Sequence, residues 1–165
     1  MLVYGKNVAK ELLKNKRKIK KVILATNFKD EEITTLLNDN NINLTLNIID
    51  DEIFINGDYN RLSQVLINVI KNSIEAIPES SQGQINISTK IKDNNYYLVV
   101  EDNGIGMDKE VLENMKKPFY TTKKRGSGLG VSLIYEIVEA HNGKIQYSSE
   151  YGKGTKVMIQ LPIYE

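Results

Sequence analysis

The chain has 165 residues, 41% of them hydrophobic and 26% charged, with a net charge of +1, which is enough for one compact domain with a real core or one domain plus a short extra unit. No apolar run approaches the ~18 residues of a membrane helix, and the charged start is unlike a signal peptide. The absence of cysteine excludes a disulfide framework, a thiolate metal site and a sulfur nucleophile, and the single histidine, His141, cannot build a histidine-rich metal centre. A cytoplasmic location fits this composition.

Charge is spread unevenly. Residues 1–42 hold nine Lys/Arg against five Asp/Glu, and the remainder hold 13 against 16. The basic excess lies in Lys14, Lys16, Arg17, Lys18, Lys20 and Lys21, a pattern shared by nucleic-acid contacts and by solvated helix ends. In chain order, Val8, Leu12 and Leu13 space a helix over 5–15, and the KKVILA run reads as a strand over 20–25. Asp30, Glu31 and Glu32 favour a helix start, predicting a helix to about residue 40 with Ile33, Leu36 and Leu37 inward. Alternating Leu44, Leu46 and Ile48 predict a strand over 43–49. A regular apolar stripe from Leu62 to Ile77 predicts a long helix over 59–77, stopped by Pro78. Two alternating strands, 84–91 and 96–102, flank Asp93-Asn94-Asn95 as a hairpin. Residues 103–128 read as irregular, 129–140 as a second long helix, and 144–149 with 155–161 as a closing hairpin around Gly152-Lys153-Gly154.

Four constellations carry possible chemistry. Asn68 and Asn72 stack one turn apart on the long helix, with Arg61, Gln64 and Glu75 extending the polar stripe. That is the pattern of a solvated face, yet an amide oxygen is also a fair ligand for Mg²⁺. Asp102-Asn103-Gly104-Ile105-Gly106 ends a strand, where the carboxylate can accept from an exocyclic amine and the glycines allow tight turns. Gly126-Ser127-Gly128-Leu129-Gly130 opens the second long helix, whose free N–H groups and dipole suit phosphate. Lys123, Lys124 and Arg125 precede it, placed to face a polyphosphate. Neither a dinucleotide fingerprint nor a Walker A ending is present. Gly152-Lys153-Gly154-Thr155 reads, by itself, as a hairpin turn.

In their order and spacing, QVLINVIKNSIEAI, VEDNGIGM, KPFYTTKKRGSGLGVSLIYEIVEAHNGKI and YGKGTKVMIQLP resemble the GHKL ATPase superfamily, and more narrowly the ATP-binding catalytic domain of bacterial sensor histidine kinases. The resemblance covers residues 43–165. It implies a Bergerat-type α/β (α+β) two-layer sandwich, a mixed and mostly antiparallel sheet with helices on one face, and ATP held with Mg²⁺. It implies Mg²⁺ on Asn72, with Asn68 holding phosphate or metal. Asp102 would bond the adenine amine, with Gly104 and Gly106 letting the base lie close and Thr155 supporting that end. Residues 107–127 would form an ATP lid packed by Phe119. Gly126, Gly128, Leu129 and Gly130, with Lys123 and Arg125, would meet the phosphates. Hydrolases of the superfamily carry a glutamate one turn before the metal asparagine; here Asn68 stands there, and an amide cannot take a proton from water. That favours phosphoryl transfer to a protein histidine over hydrolysis.

No phosphoacceptor hairpin is legible, and His141 stands where the family often has histidine for structural reasons. A phosphoacceptor histidine domain and a response regulator are therefore expected in trans, with the chain itself a monomer. Residues 1–42, as VYGKNVAKELLKNKRKIKKVILA, resemble instead the start of the substrate-binding domain of SPOUT-class RNA 2′-O-methyltransferases. They would form an α-β-α extension, with RNA as a secondary partner resting only on the Lys14–Lys21 cluster. The switch of resemblance near Asn40–Leu44 suggests a recombinant chain joined at a shared helix–strand element.

Overall fold

The computed structural model describes residues 20–21, 31–49, 51, 53–123 and 126–164. The helix expected over 5–15, the strand expected beyond Lys21, most of the basic cluster, Lys124 and Arg125 lie outside these. Lys20–Lys21 (β1) pairs antiparallel with Phe54–Ile55 (β3), a two-residue ladder. Between them come α1 (Glu31–Asp39) and β2 (Ile42–Asn47). Ile33 and Leu37 of α1 are buried in the main core, and Glu32 pairs with Lys71 at 2.6 Å.

The long helix α2 (Tyr59–Ala76) forms where the apolar stripe placed it. Asp58 caps its start, accepting the Asn60 and Arg61 N–H groups at 2.8 and 3.1 Å. It stops one residue early, at an extended Ile77, because the residue before Pro78 avoids helical backbone. Val65, Leu66, Val69, Ile70 and Ile74 are all nearly inaccessible. Strands β4 (Gly83–Lys92) and β5 (Asn95–Asp102) form the expected hairpin, with Asp93 and Asn94 both at positive φ. Next come α3 (Lys109–Asn114), α4 (Gly130–Ala140), β6 (Lys144–Glu150) and β7 (Gly154–Pro162). Helix α3 falls in the stretch expected to be irregular. It is only six residues long, too short to show a periodic stripe, and Asp108 caps it by accepting from the Val111 N–H at 2.8 Å.

The five long strands form one mixed sheet in the order β2-β4-β5-β7-β6, antiparallel except for the β2–β4 pair. Helix α2 lies on β4, β5 and β7, while α4 packs on α2 and β6. The expected two-layer architecture with a mostly antiparallel sheet is therefore the observed one. On the covered face, cross-strand rows run Thr89–Leu98–Ile159–Ile145 and Ile87–Val100–Val157–Tyr147, all buried or half-buried. The next row is Ile85–Asp102–Thr155–Ser149. Three of its four members are polar, and this row marks one end of the sheet as different.

Candidate nucleotide site

A cavity of about 690 Å³ opens at that end, between the C-terminal half of α2, the polar row, residues 120–123 and 126–128, and the start of α4. Asp102 sits at its floor. One carboxylate oxygen, Oδ1, accepts from the Gly104 N–H at 2.9 Å and the Thr155 N–H at 3.2 Å. Ser73, on α2, also hydrogen-bonds to the carboxyl group. Burial nonetheless dominates and pushes the carboxyl above its ordinary range, with the Gly104, Ser73 and Thr155 bonds only partly offsetting it. A charge kept in a dry place at a cost to folding is a common mark of a binding group.

Thr155 is held by the same network. Ser149 Oγ lies 2.9 Å from Thr155 Oγ1 and 2.8 Å from the Gly154 carbonyl, and it accepts from the Met107 N–H at 2.8 Å. Neither Ser73 nor Ser149 stands out in the sequence. Ser73 reads only as a small interruption in an apolar stripe, and Ser149 acquires its role from the β6–β7 register. Tyr147, one row further in, also lines the cavity; its buried hydroxyl finds no partner among the described residues.

Gly104 and Gly106, expected to let a base lie close, also have a part in the fold itself. A Cβ on Gly104 would stand 2.6 Å from the Ala76 carbonyl oxygen. Gly106 has φ +66°, and a Cβ there would stand 2.1 Å from the Glu150 carbonyl oxygen. Their missing side chains let the loop after β5 seat against α2 and β6, which fixes Asp102 from behind; Gly106 also lines the cavity. The Ile105 backbone completes this seat, donating to the Ala76 carbonyl at 2.8 Å and accepting from the Gly152 N–H at 2.6 Å.

Among the described residues, the opposite wall is built from fewer bonds. Asn72 lines the cavity, whereas Asn68, one turn earlier, is half-buried and stands outside its lining. Lys123 reaches from the 119–128 segment to α2, donating to Asn72 Oδ1 at 3.0 Å and forming an ion pair with Glu75. The Phe119 N–H donates to the Gly128 carbonyl at 2.9 Å and closes the base of the segment. The Phe119 side chain, expected to pack the lid, is 75% exposed, and its backbone, in the positive-φ region, makes the closing bond. Gly128 lines the cavity at φ +69°, and its would-be Cβ falls 2.4 Å from the Phe119 carbonyl carbon. Helix α4 begins without a side-chain cap at Leu129, whose side chain is exposed. Gly130, with open space where a Cβ would stand, lines the cavity as well. The Gly126 N–H is directed to the Lys123 carbonyl at 3.2 Å. Arg125 lies outside the described residues.

His141 has both ring nitrogens engaged. Nε2 accepts from the Asp58 N–H at 2.9 Å, and Nδ1 lies 2.6 Å from the Ile137 carbonyl, which makes Nδ1 the protonated nitrogen. It ties the C-terminus of α4 to the N-terminus of α2, away from the cavity.

Residues 57–165 match the family described as histidine kinase-, DNA gyrase B- and HSP90-like ATPase. Sporulation kinase E of Bacillus subtilis is 44% identical over 124 residues, covering 74% of this chain and 16% of that protein. Sporulation kinase C of the same organism is 41% identical over 138 residues, covering 81% of this chain and 32% of that protein. The chain thus spans a third or less of the length of these relatives. Among solved structures, the nucleotide-free catalytic domain of the histidine kinase ThkA superposes with a TM-score of 0.70 at 27% identity, covering 88% of this chain and 95% of that one.

Proposed function

We propose, from the premise that this chain belongs to the histidine kinase-, DNA gyrase B- and HSP90-like ATPase family, that its cavity binds Mg·ATP and that it serves as the catalytic part of a histidine protein kinase. The observation that carries the reading is the pairing of a half-buried carboxylate at one end of the cavity with an open helix start and a lysine at the other. A base with an exocyclic amine suits the first end, and a polyphosphate the second. In this reading Asp102 accepts from the adenine amine, while Thr155, held by Ser149, supports the same edge. The N–H groups at the start of α4, about Gly128 to Gly130, face the phosphates, joined by Lys123 and Arg125. Asn68 stands behind Asn72 on the same helix face.

The residues fit a divalent cation, since Asn72 Oδ1 already accepts from a cationic group, the Lys123 ammonium. When bound, Mg²⁺ would neutralise phosphate charge and polarise the transferred phosphoryl group. The protein's own work is positioning. No glutamate stands at Asn68 to take a proton from water, so transfer to a histidine is favoured over hydrolysis. The acceptor histidine and the response regulator that follows it are supplied in trans. Both ring nitrogens of His141 are already hydrogen-bonded, which supports an acceptor other than His141.

The catalytic unit is also proposed to begin with α1 rather than at residue 43. Ile33 and Leu37 belong to the common core, and the match to sporulation kinase C covers more of this chain than residues 43–165 alone supply. Among the described residues no helix is long and apolar enough to cross a membrane.

Calorimetric titration of ATP, with and without Mg²⁺, tests the reading. The expected result is saturable binding, lost in Asp102→Ala and weakened about tenfold in Asn72→Ala only when Mg²⁺ is present. Failure of the intact chain to bind ATP would overturn it.

A further inference from the structure

Two oxygens of α2 converge on one cation in this structure. Asn72 and Glu75 lie three residues apart and are neighbours on the helix surface. Asn72 Oδ1 accepts from Lys123 Nζ at 3.0 Å, and Glu75 pairs with the same ammonium. All three residues line the cavity, on its phosphate side. The ammonium therefore marks a point reached by one neutral and one anionic oxygen. Mg²⁺ is bound in such places, through one or two carboxylates with the remaining positions taken by phosphate oxygens and water. A metal ion and an ammonium cannot both occupy that point.

We infer that Glu75, with Asn72, forms the protein's half of the divalent-cation site, in direct contact or through a bound water, and that Lys123 is the resident counter-ion which the metal–nucleotide complex must displace. This rests on the reading of the cavity as a Mg·ATP site. Displacement would remove the only side-chain ion pair that ties residues 119–123 to α2 among the described residues. Metal entry and release of that segment thus become one event, and the freed lysine stands beside the phosphates.

The test is a titration of ATP into the intact chain, Glu75→Gln and Lys123→Met, first in chelator and then with Mg²⁺. The readout is the factor by which metal strengthens binding. Glu75→Gln should lower that factor about tenfold, and Lys123→Met should raise it, because no ammonium competes. A second measurement needs no nucleotide: Mn²⁺ alone, followed by its electron paramagnetic resonance signal. Lys123→Met should bind Mn²⁺ more tightly than the intact chain, and adding Glu75→Gln should cancel the gain. A metal factor in Glu75→Gln equal to that of the intact chain would overturn the inference. Unchanged Mn²⁺ binding in Lys123→Met would overturn the displacement. Absence of ATP binding by the intact chain would overturn the function proposed above and this inference with it. Normal ATP binding with an unmoved metal factor would overturn the inference alone.

Discussion

The two walls of the cavity are held by different means. The wall that carries Asp102 is tied by backbone and buried side-chain bonds from four directions: Gly104, Ser73, Thr155 and the Ser149 network behind it. Among the described residues, the wall that carries Lys123 is closed by a backbone bond at its base, between Phe119 and Gly128, and tied to α2 at its tip by exposed contacts of Lys123 with Asn72 and Glu75. Exposed ion pairs contribute little to stability, whereas buried networks fix geometry. One wall is arranged before a ligand arrives; the other is arranged so that it can change partners. This matches the demands of the ligand proposed for it: a flat base of fixed shape at one end, a flexible chain of charges at the other.

The sharpest way to break the rigid wall is Gly106→Ala. Its Cβ would meet the Glu150 carbonyl in a backbone conformation that alanine disfavours. Denaturant unfolding should show a loss of about 2–4 kcal/mol. Gly152→Ala, also at positive φ but with open space around it, should cost only about 1 kcal/mol.

Asp102→Asn separates binding from folding within the same wall. ATP affinity should fall roughly 30- to 100-fold, because an amide presents a donor to the adenine amine. Stability should move the other way. Burial raises the Asp102 carboxyl in the folded state, so the ionised form penalises folding, and the penalty is absent below the ordinary carboxyl range and grows as pH rises through the elevated one. The variant should therefore melt higher than the parent at neutral pH, with the gain disappearing in acid. A difference between variant and parent that stays constant from neutral pH into acid would contradict the assignment.

Ser149→Ala sharpens the comparison at smaller scale. It leaves the Met107 N–H without its acceptor and removes the partner of Thr155. A loss of about 1–2 kcal/mol in stability, with ATP weakened through a displaced Thr155, is expected in paired melting and titration experiments. The smallest effect belongs to the wall that carries Lys123. Phe119→Ala removes an exposed ring and should change stability by less than about 0.5 kcal/mol. A larger loss would mean that the ring, not the backbone pair with Gly128, closes the segment.

What the sequence made legible follows the same division. Asp102, Asn72 and the glycine-rich start of α4 are local signals, each readable from a strand end, a helix face or a turn. The long helix and both hairpins rest on strong periodicity and formed within a residue or two of their expected bounds. Ser73 and Ser149 were hidden because their roles depend on which element lies opposite. The reason for Gly104 and Gly106 was hidden likewise: the atoms they must avoid belong to Ala76 and Glu150. The partners of Lys123 are 51 and 48 residues away in the chain, beyond any pattern. The likeness of residues 1–42 to an RNA methyltransferase domain falls mostly on residues outside the described ones; within the described part, α1 joins the common core.

His141 has a practical consequence for the laboratory. It is the chain's only histidine, and each ring nitrogen is already committed, one to the cap of α2 and one to the last turn of α4. A mixture of this protein with labelled ATP and a candidate substrate should thus carry no acid-labile label on the protein itself. Every count recovered as phosphohistidine then reports on the added substrate, so an unknown acceptor can be searched for against a blank background.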